Sequence, residues 1–339
     1  MENNNKKILE VKDLKIQIKM DEGLLTPVRG VNFSVYENET LGLVGESGCG
    51  KSLTCKAILG INGKKAHASG NIDYYKDGEV MNLLNLKADG EKIRSIRGKQ
   101  ISMVFQEPMT SFSPLFTIGS QMTETIRLHI TKDKKEARDI AIDMMKKVGI
   151  SNAEKRFTQY PHEFSGGMLQ RALIATSLVC HPRLLIADEP TTALDVTIQA
   201  QILELMQQLQ KDYGMGILYV THDLGTVAKI CDRVIVMYLG KIVEMASVKD
   251  LFHNPIHPYT RGLIGSVHKI GGKKERLYSI DGTVPLAMNL SDICGFEDRC
   301  TYKCDACKGC EPELTEVSEG HFVACYRGGE FANGGQKNV

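Results

Sequence analysis

One run of residues, Gly45-Glu46-Ser47-Gly48-Cys49-Gly50-Lys51-Ser52, has the types and spacing to hold a chain of phosphates. The glycines let backbone N–H groups turn inward toward an anion, Lys51 places a point charge on the β- and γ-phosphates, and the Ser52 hydroxyl can ligate Mg²⁺. A helix expected to begin at about Lys51 adds the positive end of its dipole. The same spacing can also occur in a plain glycine turn, so the residues downstream of the loop carry the decision.

Further along come Gln106, then Ser165-Gly166-Gly167-Met168, then Asp188-Glu189, then Asp195, then His222. Residues 184–187 form a short apolar run between Pro182 and Pro190, which suits a buried parallel strand that delivers two carboxylates to its end. Asp188 there can hold a hydrated Mg²⁺ and Glu189 can polarise an attacking water. A second strand over 217–220 delivers His222, whose imidazole can bridge a γ-phosphate and that water. Ser165, Gly166 and Gly167 open a helical stretch over 168–179, so a hydroxyl and bare N–H groups make a second anion site at a helix start.

This series resembles the ATP-binding subunits of ABC transporters, over residues 8 to about 250. The resemblance implies an α/β P-loop NTPase fold: a parallel-sheet core, an antiparallel β subdomain and a helical subdomain. It implies ATP and Mg²⁺ as ligands, and a pair of subunits closing head to tail. The signature Ser165 to Met168 of one chain then covers the ATP held by the phosphate loop of the other, with Asp195 in the loop at the pair's interface. Gln106, inside Phe105-Gln106-Glu107-Pro108, is implied to contact Mg²⁺ or water and to couple the core to a helical insert. Phe164 and Met168 replace the family's usual Leu and Gln. Residues 12–32 contain no aromatic side chain to stack on adenine, so aliphatic groups such as Leu24, Leu25 or Val28 must serve.

The segment His253-Asn254-Pro255-Ile256-His257-Pro258-Tyr259-Thr260 resembles the one that comes after the core in oligopeptide, dipeptide and nickel importer ATPases, and the text around Ser165 and Glu189 resembles their D-type subunit. His253 and His257 themselves read as loop histidines fixed between prolines. Six of the ten cysteines lie from 253 onward, in a polar stretch that needs a staple to fold. For Cys294, Cys300, Cys307 and Cys325 the resemblance implies a [4Fe–4S] cluster, with Zn²⁺ as the physical competitor. Cys304 and Cys310 are alternatives to Cys307 as ligand. Cys55, Cys180 and Cys231 read as small core residues, and Cys49 as an unconstrained loop position.

The expected organisation is an ATP-binding domain over 1–252, with a helical insert at about 108–180, and an extension over 253–339. In the insert, Ala137, Ile140, Ala141, Met144, Met145 and Val148 recur at helical spacing before Gly149, the methionines serving as core. A chain of 339 residues, 42% hydrophobic, can bury a large core, and its net charge of +1 offers no basic face for nucleic acid. No apolar window is long enough to span a bilayer, so the expected place is the cytoplasmic face of the cell membrane, reached through partners. Those partners are two membrane permease subunits, a second, F-type ATPase, and indirectly an extracytoplasmic peptide-binding protein. The implied activity is ATP hydrolysis driving peptide import. The alternatives are a nickel or metal-chelate importer and a soluble ABC ATPase.

Overall fold

A computed structural model describes residues 6–192, 194–266, 280–290 and 293–332. The chain divides into two compact units, one of Met1–Ile8, Val35–Glu39 and Asn85–Val220, the other of Leu9–Ser34, Thr40–Leu84 and Thr221–Val339.

In the first unit the strands Ile101–Val104, Leu184–Asp188 and Gly216–Thr221 pair in parallel, with Ile101 opposite Leu184 and Leu184 opposite Gly216. Their side chains are buried throughout, as uninterrupted apolar runs predict for parallel strands covered on both faces. The longer helices of this unit are Ile118–His129, Lys134–Lys147, Gly166–Leu178 and Val196–Tyr213. Each starts on a residue whose side-chain oxygen accepts a backbone N–H of the first turn: Thr117, Asp133, Ser165 and Asp195 respectively. Met144 and Met145 are buried on the inner face of the second helix, which stops at Gly149 with φ +78°.

In the second unit Thr40–Val44 runs parallel to Arg233–Tyr238, which pairs antiparallel with Lys241–Ser247. Two short strands of the extension, His321–Val323 and Thr315–Ser318, continue that antiparallel edge. A separate four-stranded sheet is ordered Gly23–Tyr36, Lys7–Met20, Ala66–Lys76, Glu79–Asn82. Parallel strands, an antiparallel sheet and a set of helices are the α/β composition expected from the sequence.

The extension is less polar in practice than its composition implied. Phe296 packs with Tyr238, Tyr259 and His257 at ring separations of 5.2, 5.5 and 5.7 Å. Ile256, Val323 and Phe331 form a small core of their own, with Tyr302 edge-on to Phe331. Cys55 is buried as expected, whereas Cys180 and Cys231 are only half-buried. No helix among the described residues is long and apolar enough to cross a membrane.

Candidate nucleotide site

The phosphate loop, in the second unit, connects the buried strand Thr40–Val44 to the helix Lys51–Ile58. Two of its glycines are required by space. A Cβ on Gly45 would lie 2.2 Å from the Met237 carbonyl, and one on Gly50, at φ +100°, would lie 2.2 Å from the Pro27 carbonyl. Gly50 caps the helix without a side-chain acceptor, which leaves the first-turn N–H groups for an anion. Lys51 is 6% exposed, and its Nζ donates to the carbonyls of Gly45 at 2.8 Å and Glu46 at 3.0 Å. Cys49 corrects the sequence reading. Far from being unconstrained, it is fully buried against this lysine, and burial pushes its thiol pKa up. His222 comes directly after the strand Gly216–Thr221, just before Asp223 starts the next helix.

In the first unit, Asp188 ends its strand at 3% exposure, and Glu189 is next with φ +48°, a left-handed backbone that is costly for a side-chain-bearing residue. That turn aims the Glu189 carboxylate at two donors, Gln106 Nε2 at 2.9 Å and Thr192 Oγ1 at 3.0 Å. Gln106 and Glu189 were both singled out in the sequence; Thr192 was not. At the signature, Ser165 Oγ accepts the Met168 N–H at 3.4 Å, and a Cβ on Gly166 would meet open space. A Cβ on Gly167 would press on Ile198 at 2.9 Å, so this glycine is fixed by packing. Asp195 uses its carboxylate to accept the N–H groups of Thr197 and Ile198. Arg171, which the sequence did not single out, reaches from the signature helix to the Val148 carbonyl at 2.6 Å and Gln201 at 3.0 Å.

A family model described as ABC transporter matches residues 28–192, and one described as the C-terminal region of oligopeptide/dipeptide transporters matches residues 243–307. A putative peptide import ATP-binding protein of Brucella ovis is 47% identical, the alignment covering 96% of this chain and 98% of the relative. The chain belongs to the ABC transporter ATPases that carry the oligopeptide/dipeptide C-terminal region. Other relatives in that family are the oligopeptide transport ATP-binding proteins AppD of Bacillus subtilis, 45% identical over 94% of this chain and 96% of its own, and OppD of Escherichia coli, 41% identical over 94% and 93%. Among solved structures, the ATP-binding cassette MJ0796, a dimer bound to ADP and Pi after hydrolysis, matches with TM-score 0.62 at 26% identity, over 71% of this chain and 98% of that one. The family-specific part of this ABC ATPase is its extension.

There the second unit holds a buried charge assembly. The Glu244 carboxylate accepts the backbone N–H groups of Ile256 and His257 at 2.8 and 2.9 Å and pairs with His321 Nε2 at 2.7 Å. His257, expected as a loop histidine, is instead buried and caps the helix Pro258–Gly265, its Nδ1 accepting the Tyr259 N–H at 3.0 Å. Burial lowers its pKa to about 4. Burial likewise raises the thiol pKa values of Cys294, to about 12, of Cys325, to about 11, and of Cys300 and Cys307. Negative charge on Cys300, Cys307 or Cys325 raises the Cys294 pKa further, and charge on Cys300 or Cys307 raises that of Cys325, so these sulfurs share one neighbourhood. Among the described residues, however, no three Cys, His, Asp or Glu side chains converge as ligands of one ion, so the expected metal site is not formed as such. Cys304 and Cys307 lie with sulfurs 3.7 Å apart, and Cys310 Sγ lies 2.6 Å from the Tyr326 hydroxyl.

Proposed function

We propose that this ABC ATPase hydrolyses ATP to drive the import of peptides through membrane permease subunits. The observation that carries the chemistry is the Glu189 carboxylate, fixed at the end of a buried strand by a left-handed backbone and the donors Gln106 and Thr192. In this reading water attacks the γ-phosphorus, Glu189 takes the proton, and ADP leaves. His222 bridges the γ-phosphate and the water. Lys51 and the loop N–H groups of residues 45–52 hold the phosphates, and Lys51's present partners are backbone carbonyls that a phosphate replaces. Ser52, Asp188 and Gln106 each carry an oxygen of the kind that would hold Mg²⁺, whose charge would offset that of the phosphates. Ser165 and the N–H groups of Gly166, Gly167 and Met168 serve the ATP of a partner ATPase, an F-type chain, with Asp195 at their interface.

Peptide cargo is supported by the relatives' names and by the match over residues 243–307, which also favour it over nickel. The exposed side chains of Met109, Leu115 and Phe116, close after Gln106, offer an apolar surface for the permeases at the cytoplasmic face of the membrane. For the extension we retain a [4Fe–4S] cluster on Cys294, Cys300, Cys307 and Cys325. The donors are all sulfur, and a cluster spreads its ligands more widely than a single Zn²⁺ does. Bound there, the cluster would staple the extension. Co-expression with two permeases and an F-type chain should yield one copy of each ATPase per complex and ATP hydrolysis that rises with peptide-loaded binding protein. A fully active complex with two copies of this chain would overturn the heteromeric reading, and stimulation by nickel instead of peptide would overturn the cargo.

A further inference from the structure

Glu46, the second residue of the phosphate loop, is gripped from two sides by residues beyond 252. Its backbone N–H donates to the Tyr259 hydroxyl at 2.9 Å. Its carboxylate receives both arms of the Arg299 guanidinium, at 2.8 and 3.2 Å. Neither partner is a loose surface group. Tyr259 is fully buried, with Tyr238 at 4.7 Å between ring centres and Phe296 of the extension at 5.5 Å. The Arg299 side chain is 6% exposed, and its remaining N–H groups donate to the carbonyls of Asp281 at 2.8 Å, Gly282 at 3.3 Å and Ile280 at 3.5 Å. Glu46 in turn accepts the phosphate lysine, Lys51, through its carbonyl.

A carboxylate in a phosphate loop is an electrostatic liability, because it repels the anion that the loop must bind. Glu46 is 32% exposed in its side chain, so solvent alone screens it incompletely. A forked guanidinium, immobilised by three carbonyls, cancels that charge and fixes its direction in a way that a mobile lysine could not. We propose that Arg299 is a positioning residue for nucleotide binding: the extension, by holding Arg299 on Glu46, sets the affinity of the phosphate loop. This rests on the reading that the loop binds ATP. The extension would then report its own folded state to the ATP site, and damage around Phe296 to Cys300 would appear as weakened nucleotide binding.

The test is calorimetric titration of the full chain with Mg·ADP. Arg299→Ala should weaken binding about tenfold, toward the low end of measured couplings between sites. Arg299→Gln, which keeps donors for the carbonyls but removes the charge, should lose a similar amount. Glu46→Ala is the reference for the double variant, because it removes the charge and the need for its neutraliser together. The decisive variant combines Glu46→Ala with Arg299→Ala. Equal affinity in the double variant and in Glu46→Ala supports the proposal, since a merely structural arginine would still be missed after its partner was deleted. Loss in the double variant equal to that in Arg299→Ala overturns it, as does unchanged affinity in both Arg299 variants. If the unaltered chain itself fails to bind ADP, the nucleotide reading falls and this proposal falls with it, an outcome distinct from the other two.

Discussion

Gln106 donates its side-chain amide to the Glu189 carboxylate at 2.9 Å, so the residue that introduces the helical stretch after 107 also holds the group assigned as general base. A shift of that stretch therefore reaches the base through one hydrogen bond. Gln106→Ala should keep nucleotide affinity while lowering turnover roughly tenfold to a hundredfold, less than loss of the base itself. Steady-state ATPase in the assembled transporter checks this, and unchanged turnover would remove Gln106 from the mechanism.

Glu189→Gln keeps the size and the donors' partner oxygen but cannot take a proton. Turnover should drop by about two to four decades with ATP still bound. The variant should accumulate as a closed pair with its partner ATPase, visible as a larger species in size-exclusion chromatography with ATP. Near-normal hydrolysis would sink the assignment.

Two substitutions in the phosphate loop separate charge from shape. Lys51→Ala should abolish measurable ATP affinity with little change in melting temperature. Gly50→Ala should lower stability by at least ~1 kcal/mol, because a Cβ would stand 2.2 Å from the Pro27 carbonyl on a backbone at φ +100°. Equal thermal melts for Gly50→Ala and the unaltered chain would contradict the close approach.

His257 makes stability depend on pH. Its folded pKa of about 4 lies below the ordinary value near 6.5, so the folded state keeps it neutral while the unfolded chain takes up a proton. The stability it supports is fully present above pH ~6.5 and is lost as pH falls toward about 4, by up to roughly 3 kcal/mol. Glu244 opposes the shift but does not cancel the burial. His257→Asn retains an acceptor for the Tyr259 N–H and removes the titration. Urea midpoints at pH 7 and 4.5 should therefore fall less in this variant. Parallel losses in both proteins would refute the assignment.

Anaerobic purification should give a brown protein with about four iron per chain, as a [4Fe–4S] centre requires. Cys300→Ser and Cys325→Ser should each lose colour and iron, whereas Cys310→Ser, whose sulfur meets Tyr326, should keep them. One colourless zinc per chain would replace the cluster with a tetrahedral site.

The parts of the site legible in the sequence are those with local causes. The phosphate loop is a contiguous pattern, and the apolar run 184–187 reads as a buried strand whose end carries Asp188 and Glu189. What escaped depends on distance along the chain. Arg299 meets Glu46 across a separation of 253 residues, and no spacing rule links them. Cys49 looked free because the motif permits any residue there; its burial comes from the fold around Lys51. The strands Thr315–Ser318 and His321–Val323 are too short and too mixed in polarity to announce themselves, and exist because Lys241–Ser247 offers an edge to pair with.

That edge bears on where the chain can be cut. Motif boundaries invite a truncation near residue 252, yet the strand Lys241–Ser247 would then lose the ladder that His321–Val323 forms along it. Its row of unpaired amides would become a template for other chains, and Glu244 would be left in the interior with its His321 hydrogen-bond partner removed. A shortened cassette should thus precipitate rather than behave as a minimal ATPase, and proteolysis of the native protein should spare the 252 junction.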